Sequence, residues 1–260
     1  MPSVDLPFGQ TRVTIEDLHK SVDSDTARQE LVAADVRNPN EAIDQFLCAV
    51  PSLLLWLEEH GRDYPWRWTT DPWQIYATEI LLQRTRSDAV NDIYADFFRT
   101  FPKPSSILDA DEETLRDMVR PLGFINHRTR TLLEAAELCV DEYDGNIPSD
   151  LEALRQPWRV GPYTARACLL FAFEKPLALV DTNTARIVGR VFDYRLPEQP
   201  HKSDALYRLL DALVPAHPPL ARAFNFALLD LGAQICTSEA PNCVDCPIVT
   251  SCRYADQNSG

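Results

Sequence analysis

Apolar side chains recur at helical spacing from about residue 41 onward, and glycine and proline fall between the periodic segments. A helix is predicted after Asp71-Pro72, because Asp is a good N-cap and Pro suits the first helical turn. A second helix is predicted after Ser87. Further segments with this spacing lie near residues 111–119, 127–143, 149–156, 163–173, 182–192, 203–214 and 219–235. The pattern therefore predicts an all-α protein of about ten helices.

Two stretches depart from this amphipathic pattern. Residues 1–40 are polar and acidic with weak periodicity, which predicts a mobile or loosely docked N-terminal extension. Residues 165–173 are apolar on nearly every side after Arg166, so that helix is expected to be central.

Composition narrows the class of protein. Hydrophobic residues make up 45% of the 260 positions, enough for a real core. There is no apolar run of about 18 residues, so no membrane span is expected. The first residues lack a basic region followed by an apolar one, so we expect no secretory signal and a cytoplasmic, nucleoid-associated protein.

The net charge of −14 argues at first against a nucleic-acid partner, because phosphate contacts need Lys and Arg. The charges are unevenly distributed, however. Residues 155–195 hold seven cations and three acids, a local net charge of +4, and residues 120–130 add three arginines and no acid. A basic face on an acidic body is therefore possible.

Four of the seven cysteines fall within 17 residues near the C-terminal end. Their spacing is x6, x2 and x5, which lets four thiolates converge on one centre. Zinc and a 4Fe–4S cluster both take four cysteines, so spacing alone leaves the metal open. The ligand candidates are Cys236, Cys243, Cys246 and Cys252. The remaining cysteines, Cys48, Cys139 and Cys168, lie among apolar residues and are interpreted as packing.

The 6-2-5 cysteine spacing resembles that of endonuclease III and its relatives, where it binds a 4Fe–4S cluster. Three more stretches resemble the same family in the same order: YPWR with TEILLQRT (64–67, 78–85), VGPYTARA (160–167) and LVDTNTARIVGRVF (179–192). The chain is identified by this resemblance as a member of the helix-hairpin-helix base-excision DNA glycosylases.

The resemblance implies two helical lobes flanking a DNA-binding cleft. A six-helix barrel lobe would span 66–177 and contain the helix-hairpin-helix at about 151–173. An iron–sulfur lobe would combine 41–65 with 178–260, with the cluster loop at 236–252. The cluster would act as a structural clamp, because hydrolysis needs no electrons.

The resemblance also assigns catalytic roles to three residues. Asp181 would stabilise the cationic sugar or activate water, although an Asp before a helix is also an ordinary N-cap. Glu79, on an apolar helix face, would assist departure of the base as a general acid. Tyr163 stands where bifunctional relatives carry the lysine of a Schiff-base lyase. We therefore expect a monofunctional enzyme that leaves an abasic site.

DNA contacts are expected from the hairpin and from the end of the TEILLQRT segment. The family's first hairpin glycine is replaced here by Arg159, which would be strained if the hairpin needs a positive φ. The loop between Cys236 and Cys243 contains no cation, so weak phosphate contact is expected there. The residues assigned to DNA binding are Gln83, Arg84, Arg159, Val160, Gly161 and Thr164.

The substrate is expected to be double-stranded DNA with a mismatched or damaged base, extruded into a pocket of a monomeric protein. Mig-type thymine or uracil glycosylases acting opposite guanine resemble the chain most. MutY-type adenine glycosylases, acting on A·G or A·8-oxoguanine, are the first alternative. They place Gly where Thr182 stands, and their 8-oxoguanine-reading domain is expected to be absent. A non-catalytic iron–sulfur DNA-binding protein is the second alternative, but it would need neither acid.

Overall fold

The computed structural model describes residues 4–6, 9–13 and 15–258, in which α-helices with short 3₁₀ turns and connecting loops are accompanied by one short strand pair. The all-α prediction is thereby confirmed in its essentials. The helices are α1 (Ile15–Lys20), α2 (Ser24–Ala33), α3 (Pro39–His60), α4 (Pro72–Leu81), α5 (Ser87–Thr100), α6 (Pro104–Asp109), α7 (Glu112–Val119), α8 (Ile125–Glu142), α9 (Leu151–Leu154), α10 (Pro162–Phe173), α11 (Thr182–Phe192), α12 (Asp204–Leu213), α13 (Pro218–Gln234) and α14 (Arg253–Asn258).

The strand pair was not predicted. Strands β1 (Val4–Leu6) and β2 (Gly9–Val13) pair antiparallel, with Val4 opposite Val13 and Leu6 opposite Gly9. A two-residue connection suits an antiparallel hairpin, but the pattern of these residues carries no clear period of two.

The chain divides into two compact units. The flanking unit comprises Met1–Arg62 and Pro176–Gly260, and the inserted unit comprises Asp63–Lys175. No helix among the described residues is long and apolar enough to cross a membrane.

Helix α4 forms the core of the inserted unit. Every residue from Ile75 to Leu81 is buried, and α4 packs against α5, α8 and α10. The N-cap carboxylate of Asp71 accepts a hydrogen bond from the Gln74 N–H at 2.8 Å, and Pro72 occupies the first turn. Helix α10 is buried from Thr164 to Phe171, as its apolar pattern predicts.

The flanking unit is built on α3, α11 and α13, with α2 packed against α12. The expectation of loose docking for residues 1–40 is wrong for α2. Its side chains Ala27 and Leu31 are fully buried, and the Asp23 N–H donates to the Ala212 carbonyl at 2.9 Å. A few apolar residues were enough to attach this polar helix. Residues 1–3, 7–8 and 14 of the same segment lie outside the described residues.

Candidate active site

Glu79 lies in the last turn of α4, within the inserted unit, and only 7% of its surface is exposed. Burial raises the pKa of its carboxyl group to about 8. No hydrogen bond or ion pair in the described part of the chain offsets that burial. The fully buried thiol of Cys168, on α10, is close enough to feel the Glu79 charge. Glu79 is therefore largely protonated at neutral pH and can donate a proton.

The hairpin between α9 and α10 keeps a left-handed residue where the sequence has arginine. Arg159 has φ 61°, so the strain expected from the loss of glycine is present. A left-handed conformation costs an L-residue about 1–2 kcal/mol. Gly161 has φ −87°, a value that any residue adopts, so its freedom is not used. The turn itself is closed by the Val160 N–H, which donates to the Pro157 carbonyl at 3.1 Å.

Trp158 anchors this hairpin to α8. The backbone N–H of Trp158 donates to the Glu134 carboxylate at 2.6 Å, and the Trp158 carbonyl accepts from the Thr131 hydroxyl at 3.0 Å. The guanidinium carbons of Arg159 and Arg130 lie 4.7 and 4.6 Å from its ring centroid. Each cation–π contact is worth about 0.5–1 kcal/mol at a partly exposed site. The contact from Arg159 helps to hold that strained residue, and the contact from Arg130 helps to hold the Trp158 ring.

The structure brings three predicted DNA-binding residues together. The Gln83 side-chain amide makes long contacts with the Arg159 carbonyl at 3.3 Å and the Thr164 hydroxyl at 3.4 Å. Tyr163 is half-buried in the first turn of α10. Val160 is only 5% exposed, so its side chain packs inward and only its backbone can face a ligand.

Arg84 meets an aromatic residue that the sequence reasoning missed. Arg84 is exposed and left-handed, with φ 54°, and its guanidinium carbon lies 6.0 Å from the Phe124 ring centroid. Phe124 is also left-handed, with φ 48°, and 52% exposed. The signal that could have identified Phe124 in the sequence is its position directly after Gly123, in the stretch 120–130 that lacks acids.

All three arginines in that stretch are less available for phosphate than their sequence suggests. Arg120 pairs with Asp117 at 2.5 Å, and Arg130 pairs with Glu134 at 2.7 Å. The third, Arg128, is buried. The basic character of residues 120–130 is therefore partly neutralised by neighbouring acids, and the basic-face interpretation is weaker here than counting charges implies.

Asp181 is the N-cap of α11 in the flanking unit. One carboxylate oxygen accepts from the N–H groups of Asn183 and Thr184, at 2.9 and 2.7 Å. The other accepts from the Asn183 side-chain amide at 3.1 Å. The capping interpretation is therefore correct as structure. It also leaves a half-buried carboxylate in one fixed orientation, which is compatible with a role in catalysis.

The segment leading into Asp181 is fixed from α13. Asn225, 1% exposed, accepts from the Leu179 N–H at 2.8 Å and donates to the Leu177 carbonyl at 3.1 Å. On the other side, Arg186 donates to the Asn183 side chain at 2.7 Å and to the Cys236 carbonyl at 2.8 Å. Asp181 thus sits in a rigid frame of buried amides.

The four clustered cysteines line one cavity. Burial raises the pKa of Cys246 to about 11, with the thiols of the other three close enough to contribute. Arg190 closes one side, with its guanidinium 3.2 Å from the Cys236 sulfur and stacked over Tyr254 at 4.8 Å. All four thiols are free of disulfides.

Four thiolates form a donor set that suits either one zinc ion or one 4Fe–4S cluster. Within the residues that the structure describes, no group of three or more His, Cys, Asp or Glu side chains is placed to hold a metal ion. A zinc site would gather four sulfurs at about 2.3 Å from one point. A cationic centre among the four thiols would relieve the repulsion between their thiolates.

Comparison with known sequences gives consistent relatives. The sequence model of HhH-GPD superfamily base excision DNA repair proteins matches residues 77–212. A thymine/uracil-DNA glycosylase of Pyrobaculum aerophilum is 36% identical over 202 residues, covering 77% of this chain and 88% of the relative. An adenine DNA glycosylase of Mycobacterium tuberculosis is also 36% identical over 205 residues, but the match covers 76% of this chain and 64% of that protein.

Solved structures agree. A thermostable thymine-DNA glycosylase superposes with a TM-score of 0.75 at 31% identity, covering 82% of this chain and 98% of that one. An endonuclease III trapped as a covalent DNA intermediate gives a TM-score of 0.69 at 19% identity, covering 84% and 99%. The second likeness shows a shared fold.

Proposed function

Because the chain belongs to the HhH-GPD superfamily of base excision DNA repair proteins, we propose that it is a monofunctional DNA glycosylase that removes thymine or uracil opposite guanine. The structural observation that carries this proposal is Glu79, a buried carboxyl group whose pKa of about 8 keeps it protonated at neutral pH. A protonated acid in an apolar helix is what a poor leaving group such as thymine requires.

The proposed reaction divides the work between two carboxyl groups. Glu79 gives its proton to the departing base, so that the C1′–N bond breaks without leaving an uncompensated negative charge. Asp181 stabilises the positive charge that develops on the sugar, and water then adds at C1′. The products are the free base and an abasic site.

The absence of lyase activity rests on Tyr163. A lyase needs an amine that attacks C1′ and forms a Schiff base. The side chain at the first turn of α10 is a phenol, which cannot form that intermediate. We therefore propose hydrolysis without strand cleavage.

The DNA contacts are proposed on the surface that carries the hairpin. Arg84 and Arg159 supply exposed cations, and Gln83 and Thr164 lie beside them. Gly161 offers its backbone N–H at the start of α10 for a phosphate, while the N–H of Val160 beside it closes the turn. Phe124 adds an exposed ring of the kind that stacks on bases.

Cys236, Cys243, Cys246 and Cys252 are proposed to hold one 4Fe–4S cluster. The four side chains line one cavity, and their 6-2-5 spacing resembles that of endonuclease III, which supports this assignment. Such a cluster supplies no electrons to a hydrolysis. Its contribution would be to fix the loop 236–252 and, through Arg186, the start of α11.

An activity panel tests the proposal. Purified protein is incubated with duplexes containing G·T, G·U and A·8-oxoguanine, and abasic sites are revealed by alkali. Cleavage of G·T or G·U is expected, and Asp181→Asn should abolish it while the protein still binds DNA. Preferential cleavage of A·8-oxoguanine would favour an adenine glycosylase, whose relatives match over a similar length. Binding without cleavage of any duplex would favour a non-catalytic protein.

A further inference from the structure

A single buried arginine joins the two loops that carry Arg84 and Phe124. Arg128, 3% exposed on the first turns of α8, donates through Nη2 to the Gln83 carbonyl at 2.7 Å and the Thr85 hydroxyl at 2.8 Å. Its Nη1 donates to the Leu122 carbonyl at 3.2 Å and also to the Gly123 carbonyl. Four of its five N–H groups are therefore used, two on each loop.

The two loops are also joined directly. The Thr85 hydroxyl, which accepts from Arg128, donates to the Leu122 carbonyl at 2.9 Å. This bond closes a ring of contacts between residues 83–85 and 122–124. Loop 83–85 is thereby held at Gln83 and Thr85, on both sides of Arg84, and loop 122–124 is held at the two residues before Phe124.

Both exposed residues need that support. Arg84 and Phe124 are each left-handed, a conformation that is unfavourable for any residue with a Cβ atom. Such conformations persist only where the surroundings fix them, and they concentrate at functional sites. The bonds from Arg128 to the carbonyls of Gln83 and Gly123 hold the residues immediately before Arg84 and Phe124.

Stability alone explains Arg128 poorly. It is a buried cation whose hydrogen-bond acceptors in the described structure are carbonyls and a hydroxyl, with no carboxylate among them. Burial lowers its pKa to about 10, so it stays charged at neutral pH. Its Nε lacks a hydrogen-bond partner in the described structure. A buried charge without a carboxylate partner costs the protein stability. Its presence therefore indicates that the arrangement of the two loops serves a function.

We propose that Arg128 is a positioning residue for DNA recognition, which holds Arg84 and Phe124 together as one rigid prominence that enters the duplex. This inference rests on the proposed function. Arg128 is too buried to touch DNA, so it acts through the two exposed side chains. A cation beside an aromatic ring suits the partner, because the ring can stack on or wedge between bases while the guanidinium meets phosphate.

Arginine is required because a planar fork reaches both loops at once. Arg128→Lys keeps the charge but offers one ammonium, which cannot bridge two pairs of acceptors. Thr85→Val is a milder variant of similar volume that removes one acceptor of the fork and the bond to Leu122. Arg99→Lys, at an exposed arginine paired with Asp96, is the matched control.

The test measures base extrusion at saturation. Asp181→Asn protein, alone or with each further change, is titrated onto a G·U duplex that carries 2-aminopurine beside the uracil. The fluorescence gain at saturating protein reports unstacking by folded, bound molecules only, so a general loss of stability would not lower it. We expect Arg128→Lys to reduce the ratio of extruded to stacked base, calculated from this gain, about tenfold, as the loss of one charged hydrogen bond implies. Thr85→Val should reduce it about threefold, and Arg99→Lys should leave it unchanged.

The outcomes are separable. An unchanged gain for both Arg128→Lys and Thr85→Val, while wild-type protein cleaves G·U, overturns the inference and leaves the proposed function standing. If Arg128→Lys does not fold, an unchanged gain for Thr85→Val is sufficient by itself to overturn the inference. If wild-type protein cleaves no duplex in the panel, the proposed function fails and the inference fails with it.

Discussion

Replacing Glu79 by glutamine should stabilise the protein and inactivate it. The amide has nearly the same shape as the protonated carboxyl group but cannot ionise or donate an acidic proton. Removal of a general acid slows catalysis by about 100-fold to 10,000-fold. The wild-type rate should likewise fall as pH rises through about 8, because the proton that leaves with the base is then lost from Glu79.

The magnitude of the stability effect follows from the two pKa values. Glu79 has a pKa of about 8 when folded and an ordinary value of 4.5 when unfolded. Between those pH values the folded state binds one proton more than the unfolded state, so the wild-type free energy of unfolding falls as pH rises. Each pH unit is worth about 1.4 kcal/mol. The advantage of Glu79→Gln should therefore grow by up to about 4 kcal/mol between pH 5 and pH 8.

Urea denaturation of both proteins at several pH values, under reducing and anaerobic conditions, measures this difference. Glu137→Gln, at an exposed glutamate on α8, is the control and should show no comparable pH-dependent gain. A Glu79→Gln advantage that is the same at pH 5 and pH 8 would refute the raised pKa. An active Glu79→Gln enzyme would refute the role of the proton.

Three further outcomes are expected. Arg159→Gly should change the stability of the protein little, because relief of about 1–2 kcal/mol of strain is offset by the lost stack on Trp158 and by glycine's backbone entropy. The same change should lower the salt dependence of DNA binding by about one phosphate contact. Borohydride should trap no adduct with wild-type protein, whereas Tyr163→Lys supplies an amine and serves as a positive control; trapping by wild type would contradict hydrolysis. Wild-type protein should be brown and contain iron, and Cys246→Ser should lose both; a colourless protein with one zinc would contradict the cluster.

The sequence predicted elements well where hydrophobic period and end signals agree. Helix α4 begins where Asp71 and Pro72 place it, and α11 begins after Asp181. Helix α3 was not delimited, because a long apolar run with Pro51 inside it carries neither a clear period nor an ordinary stop signal. Helix α2 looked detached because only a few of its residues are apolar, yet two of them, Ala27 and Leu31, are fully buried.

The candidate site was predictable where a single residue gives the signal. A carboxylate in the apolar segment around Glu79 indicated a raised pKa, and that is found. Contacts between distant loops left no local signal. The bonds from Arg128 to Gln83 join residues 45 positions apart, and the stack of Arg130 and Arg159 on Trp158 depends on how the hairpin meets α8. From the sequence alone, these three arginines are interpreted as surface cations.

The most direct test compares wild-type protein with Glu79→Gln and Asp181→Asn on a G·U or G·T duplex under single-turnover conditions. The account predicts abasic sites with wild-type protein, and at least about a 100-fold lower rate for each variant with DNA binding retained. Wild-type rates for both variants, or no abasic sites from wild-type protein on either duplex, would contradict it.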